Sequence, residues 1–205
     1  MLFAARLLSH LLHPLLMPLL TLWVMLRVDP HVGYFLPPNG RMLLLGMVAI
    51  MTFVFPVMSV LLLRRAGLIT DLQLPRREER IVPYLMTLLY TGMALYLLFR
   101  TPLHPIAYAL FIGILCAMTI SAITTFWWKI SAHMVGIGGL VGALFAMWYV
   151  HGLDLFLPIV LAILLAGALG TARLLTSDHT HGQIHAGWLL GLICTFGAMV
   201  YPTIG

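Results

Sequence analysis

What most constrains this chain is a series of apolar stretches about twenty residues long, separated by short polar turns. A helix rises about 1.5 Å per residue, so about twenty apolar residues cover a hydrocarbon core roughly 30 Å thick. The alternating segments of about ten residues that mark a transmembrane β-barrel are not seen in the sequence. Composition agrees, with 62% of residues hydrophobic, 8% charged and a mean hydropathy of +1.06. A soluble domain carries about 25% charged residues, so this chain lacks the polar surface to enclose an apolar core in water. The expected fold is an all-α, polytopic transmembrane helical bundle of six or seven spans, one integral membrane domain over residues 1–205.

The stretches run from about Leu7 to Arg27, Met42 to Leu63, Ile81 to Phe99, His104 to Phe126, His133 to Val150, Leu155 to Leu174 and Ile184 to Ile204. Pro14 and Pro18 each remove a backbone donor and crowd the preceding turn, so the first stretch is expected to kink or break. Arg6 followed by an apolar run has the outline of a signal peptide. The length of that run, its His10, His13, Pro14 and Pro18, and the lack of a small-residue cleavage site favour a retained helix. Asp29-Pro30, Pro37-Pro38-Asn39-Gly40, Arg100-Thr101-Pro102 and His151-Gly152 read as turns, and the one long loop, Arg64 to Arg80, holds most of the charge. Cys116 and Cys194 lie inside apolar runs and read as buried free thiols. The formal charge of +5 comes from basic residues placed singly or in that loop, which points to anionic lipid headgroups rather than nucleic acid.

Three short polar clusters interrupt this background: Arg77-Glu78-Glu79-Arg80, Lys129-Ile130-Ser131-Ala132-His133, and Arg173 followed by His179 and Gln183. Ionisable groups retained beside membrane spans are usually there for chemistry. Two spans separate Arg80 from Lys129 and two more separate His133 from Arg173, so all three clusters fall on the same side of the bundle. Together they offer guanidinium groups, an ammonium, two imidazoles, a hydroxyl and an amide. That set suits a phosphate ester: arginine forks bind phosphate oxygens, lysine adds a point charge, and two histidines can divide nucleophile and acid roles. Metal-ion hydrolysis would call for carboxylates, which are scarce here, and no metal or other cofactor is expected.

These residues resemble the type 2 phosphatidic acid phosphatase superfamily, which includes lipid phosphatases and vanadium haloperoxidases. Its motifs are Lys-(six residues)-Arg-Pro, Pro-Ser-Gly-His, and Ser-Arg-(five residues)-His-(three residues)-Asp. The third is matched by Arg173, His179 and Gln183, the second by Ser131-Ala132-His133, and the first by Arg80, with Pro83 two residues late and Arg76 or Arg77 in the place of the lysine. The opening His13-Pro14-Leu15-Leu16-Met17-Pro18 is similar to the start of a compact bacterial branch of that superfamily. The resemblance implies that His179 attacks phosphorus to form a phosphohistidine and that His133 protonates the leaving oxygen. It further implies that Arg173, Arg80, Arg77, Arg76, Lys129 and Ser131 hold the phosphate. The chain departs from the pattern at Gln183, where the family has an aspartate that orients the nucleophile, and at Ala132, where it has glycine. Asp178, next to His179, is a poor substitute on a helix, whereas Glu78 or Glu79 could reach in from the first cluster.

Each residue also has a plainer reading. Arg76, Arg77 and Arg80 could be topology determinants paired with Glu78 and Glu79, and Lys129 after Trp127-Trp128 an interfacial anchor. Ser131 fits a helix cap, His181 and His185 fit the interface, and Gly136, Gly138, Gly139 and Gly142 fit a small-residue face for close helix packing. Three function classes follow. The first is a multi-pass enzyme of a bacterial cytoplasmic membrane that hydrolyses a phospholipid monophosphate or a polyprenyl diphosphate. The second is a descendant with Gln183 that binds, carries or senses a lipid phosphate without turnover. The third is a membrane protein holding metal or haem through His179, His181 and His185, whose spacing does not stack them on one helical face. Charge counting sets Arg6, Arg64, Arg65 and Arg76 against Arg27, Arg41 and Arg100, a margin that leaves sidedness open. No residue pattern indicates an oligomeric state.

Overall fold

The computed structural model describes residues 2–69, 78–176 and 179–204, with the side chains of 78, 80 and 202–204 left undescribed. The protein is 82% helical, and the described residues contain no strand. Among the described residues nine α-helices follow one another: α1 (Leu2–Leu11), α2 (Met17–Val28), α3 (Pro38–Ala49), α4 (Phe55–Arg65), α5 (Glu78–Leu98), α6 (Pro105–Thr125), α7 (Ala132–His151), α8 (Phe156–Thr176) and α9 (His181–Ile204). Among the described residues, seven helical segments are long and apolar enough to cross a membrane: Leu2–Val28, Pro38–Arg65, Ile81–Leu98, Pro105–Thr125, Ala132–His151, Phe156–Thr176 and His181–Tyr201. Each falls on one of the apolar stretches read from the sequence, so the protein is a multi-pass helical bundle.

The first segment is broken where its prolines demand. Helix α1 stops at Leu11, His13 is extended, and Pro14–Leu16 form a single 3₁₀ turn before α2. Pro14 takes the first position of that turn, where its missing N–H is no loss, and the His13 imidazole caps it by accepting from Leu15 N at 3.3 Å. The second segment carries a feature that the hydrophobic pattern does not signal, a π-helical turn over Ile50–Val54 between α3 and α4. Pro56 supplies the physical reason. It has no N–H for the carbonyl of Thr52 and its ring would crowd that carbonyl in a regular helix, and widening the turn relieves both.

Helix α7 is the axis of the bundle: 67% of its most apolar window is buried, against 22–44% for the other segments. Without a hydrophobic drive between helices in lipid, close backbone approach supplies the packing. The α7–α9 contact achieves it with glycines on both sides. A Cβ at Gly138 would fall on the Trp188 carbonyl, and one at Gly191 on the Val135 carbonyl and 2.8 Å from Gly139 N. At Gly142 it would sit 2.5 Å from the Leu192 carbonyl, and at Gly187 2.8 Å from that of Ser131. Thr195 stitches the same seam, its hydroxyl donating to Gly191 O at 2.7 Å and lying 3.0 Å from Gly139 O. The small-residue face on α7 therefore has a partner that sequence reading did not name, the glycines of α9.

One expectation is corrected. Both cysteines are free, but Cys116 is exposed on α6 and Cys194 only half-buried. In a membrane protein an apolar run reports contact with lipid as readily as contact with protein, so apolar surroundings in sequence do not bury a side chain within the bundle.

Candidate functional site

Helices α7, α8 and α9 deliver the second and third polar clusters to one end of the bundle. His133 lies in the first turn of α7, Arg173 in the last turn of α8, and His179 two residues ahead of α9. Arg173, His13 and His179 all act electrostatically on the His133 ring, and all are basic. The Ser131 N–H lies 3.4 Å from the Gln183 carbonyl, which ties the entry of α7 to the first turn of α9.

The start of α9 explains how Gln183 is held. Thr180 and Gln183 form a reciprocal capping box: Gln183 N lies 3.4 Å from Thr180 Oγ1, and Thr180 N donates to Gln183 Oε1 at 3.1 Å. That second bond fixes the amide, because a backbone N–H can donate only to the oxygen and not to the NH₂. His179 Nδ1 lies 3.2 Å from the same oxygen. An oxygen can only accept here, so Nδ1 carries the ring proton, and Nε2 of the neutral ring is the basic nitrogen. The glutamine thus does the orienting part of what an aspartate would do, without its charge. The Thr-x-x-Gln spacing of Thr180 and Gln183 is the signal that the sequence carries for this arrangement.

His133 is oriented in the same manner by a different element. Its Nε2 lies 3.1 Å from the backbone carbonyl of Ser9, in α1, so Nε2 donates and Nδ1 is the acceptor nitrogen of the neutral ring. The His13 ring packs edge-on against it with centroids 5.7 Å apart. Helix α1 packs along α8, which carries Arg173. The broken first segment therefore belongs to the site, a role that spacing rules could not reveal, since His13 and His133 are brought together only by the fold.

Ser131 occupies the N-cap position of α7 but does not cap it: its Oγ is fully buried and has no hydrogen-bond partner among the described residues. Ser9 Oγ, on α1, is buried in the same state. Buried hydroxyls without partners are uncommon and cost free energy. Lys129 is half-exposed behind Trp127 and Trp128, which are 73% and 41% exposed, and it bonds to no described residue. That position matches an interfacial anchor better than a phosphate ligand. His181 and His185 are exposed. Arg76 and Arg77 lie outside the described residues, as does Asp178; Arg80 stands in the first turn of α5, its side chain likewise outside what is described. An apolar hollow of about 370 Å³ along α3, lined by Met42, Met47 and Ile50 among others, lies on a different segment and offers this chemistry nothing. No family profile, curated protein or solved structure matches the chain, so the reading of the site rests on its own geometry.

Proposed function

We propose that the protein is a membrane phosphohydrolase, working at the surface of a bacterial cytoplasmic membrane on a lipid phosphomonoester or a polyprenyl diphosphate through a phosphohistidine at His179. The observation that carries this reading is the Gln183 oxygen, anchored by Thr180 N–H and aimed at His179 Nδ1, which leaves Nε2 as the nucleophilic nitrogen in a cluster with His133, Arg173 and His13. In the first step Nε2 attacks phosphorus, the bond from phosphorus to the lipid oxygen breaks, and that oxygen takes the Nδ1 proton of a His133 imidazolium, the second ring proton having come from the bound phosphate monoanion. In the second step water attacks the phosphohistidine, the P–N bond breaks, inorganic phosphate leaves and the water proton returns to His133. Arg173 and the Ser131 hydroxyl supply donors for the equatorial oxygens. Arg80, Arg77 and Arg76 are assigned to the phosphate only by the family resemblance, and so is Lys129.

A second reading, that the site binds, carries or senses a lipid phosphate without turnover, is favoured by one feature. Gln183 brings no charge to stabilise the positive ring that forms when His179 bonds to phosphorus. The two readings separate in one experiment. Purified protein in lipid nanodiscs is supplied with phosphatidic acid, phosphatidylglycerol phosphate, a lipid A phosphate and undecaprenyl diphosphate, beside His179→Ala and Arg173→Ala. Phosphate release that both changes abolish supports the enzyme. Saturable lipid-phosphate binding without release supports the carrier, and neither release nor binding refutes both.

A further inference from the structure

At the opposite end of the bundle a second set of polar side chains converges. His133 opens α7 and His151 closes it, so eighteen residues of helix, about 27 Å, separate this set from the phosphate cluster. Its centre is Asp29, the residue that ends α2, whose carboxylate is 0% exposed. One oxygen accepts from His31 N at 2.9 Å and lies 3.0 Å from His31 Nδ1, while the other meets His151 Nδ1 in a short contact. His104, the N-cap of α6, stacks its ring edge-on to that of His151 with centroids 4.9 Å apart, and burial pushes its imidazole below the usual range, with the His151 ring adding to the effect. Three segments distant in sequence thus bring one carboxylate and three imidazoles together. Nothing in the phosphohydrolase chemistry uses them.

We propose that Asp29, His31 and His151 form a binding site for a divalent transition-metal ion of the zinc class, with the His104 ring packed against His151. The ligand atoms of the three residues all lie within 4.8 Å of one another. Zinc bonds to nitrogen and oxygen of about 2.0–2.1 Å place tetrahedral ligands roughly 3.3 Å apart, so the 3.0 Å between His31 Nδ1 and Asp29 Oδ1 would widen by a few tenths of an ångström on binding and the short His151–Asp29 contact by more. Two imidazoles with one carboxylate are a donor set that selects zinc-like ions over magnesium or calcium, which prefer oxygen alone. His31 is 63% exposed and gives the ion a path from water, whereas buried Asp29 supplies the fixed charge. A bound ion would join the end of α2, the following loop, and the end of α7. Three protein ligands with one open position is also the arrangement of zinc sites that act on a ligand rather than only hold a fold.

The experiment is metal binding by the full-length protein in detergent, stripped with chelator and titrated with Zn²⁺ alone, and with Co²⁺ to read tetrahedral coordination from visible absorbance. His31→Ala is the decisive variant, because its exposed side chain can be removed without unburying anything. Asp29→Asn tests the charge and His185→Ala controls for other exposed histidines. One ion per chain is expected, with affinity lowered roughly 100-fold or more by His31→Ala, beyond the 10- to 100-fold that loss of a supporting partner costs, and unchanged by His185→Ala. No stoichiometric binding, or binding that His31→Ala and Asp29→Asn leave intact, would overturn the site.

Discussion

If the capping box at α9 sets the nucleophile, Gln183→Leu should change the tautomer of His179. The substitution keeps the bulk of a side chain that is 9% exposed but removes the oxygen shared by Thr180 N–H and His179 Nδ1–H. Losing the reciprocal cap costs about 0.5–2 kcal/mol of stability, at the low end here because Thr180 is exposed and water can replace the acceptor. Losing the bond to the ring removes a preference of about 0.5–1.5 kcal/mol for the Nδ1–H form. At about 1.4 kcal/mol per tenfold, the ratio of the two tautomers should fall roughly 2- to 13-fold, and the rate of any histidine-dependent phosphate release, through the tautomer alone, by up to that factor. Gln183→Glu should act in the opposite direction. A carboxylate accepts the same two bonds about twice as strongly, and a negative charge in the first turn of a helix adds about 0.3–1 kcal/mol. The assay is ¹⁵N NMR of histidine-labelled protein in nanodiscs, with the His179 signals assigned by their loss in His179→Ala. A wild-type ring protonated at Nε2, or a tautomer ratio that Gln183→Leu does not move, would refute the reasoning whether or not the protein turns over lipid.

Three further outcomes follow from the geometry. Ser131→Ala should leave the melting temperature unchanged or raise it, because a buried unpartnered hydroxyl disappears, while kcat/KM or lipid-phosphate affinity falls roughly 10- to 150-fold if that hydroxyl donates to a charged phosphate oxygen; unchanged function would remove Ser131 from the site. Gly191→Ala should destabilise the bundle by about 1–3 kcal/mol or more, since its Cβ lands on the Val135 carbonyl, whereas Gly167→Ala, with nothing within 4 Å, should be neutral or stabilising by up to about 1 kcal/mol. Thermal unfolding in one detergent compares the two, and equal effects would contradict the α7–α9 packing. His13→Asn preserves the capping acceptor of the 3₁₀ turn, so folding should survive while phosphate affinity drops; unaltered binding would make His13 a cap and no more.

Much of this architecture is legible in the sequence because span length and proline chemistry are local. The seven segments follow from apolar run length, and the break at Pro14 from a missing donor. The π-turn before Pro56 shows that the same local rule, applied to one more proline, would have reached further. What the sequence hid is what depends on tertiary contact. His13 and Ser9 meet His133 only because α1 packs on α8, and in the sequence Asp29 and His151 read as turn residues and His104 as the start of a span. Cys116 illustrates the converse error, because in a bilayer an apolar neighbourhood in sequence does not distinguish lipid from protein. Gln183 looked like a loss when set beside the aspartate of the family pattern. Its place in a Thr180–Gln183 capping box supplies the orientation that an amide in a serine-hydrolase triad fails to give, where the wrong tautomer costs about 10⁴ in rate.

The central claim is a covalent bond between His179 and phosphorus, and the most direct measurement is to trap it. Purified protein is mixed with a ³²P-labelled lipid phosphate or diphosphate, quenched within seconds, and the protein-bound label tested for stability in base and lability in acid. The account predicts base-stable, acid-labile label on the peptide that contains His179, absent from His179→Ala and slower both to form and to decay in His133→Ala, where the first step lacks its acid and the second its base. Phosphate release that His179→Ala leaves unaffected, or label carried by another residue, would contradict it.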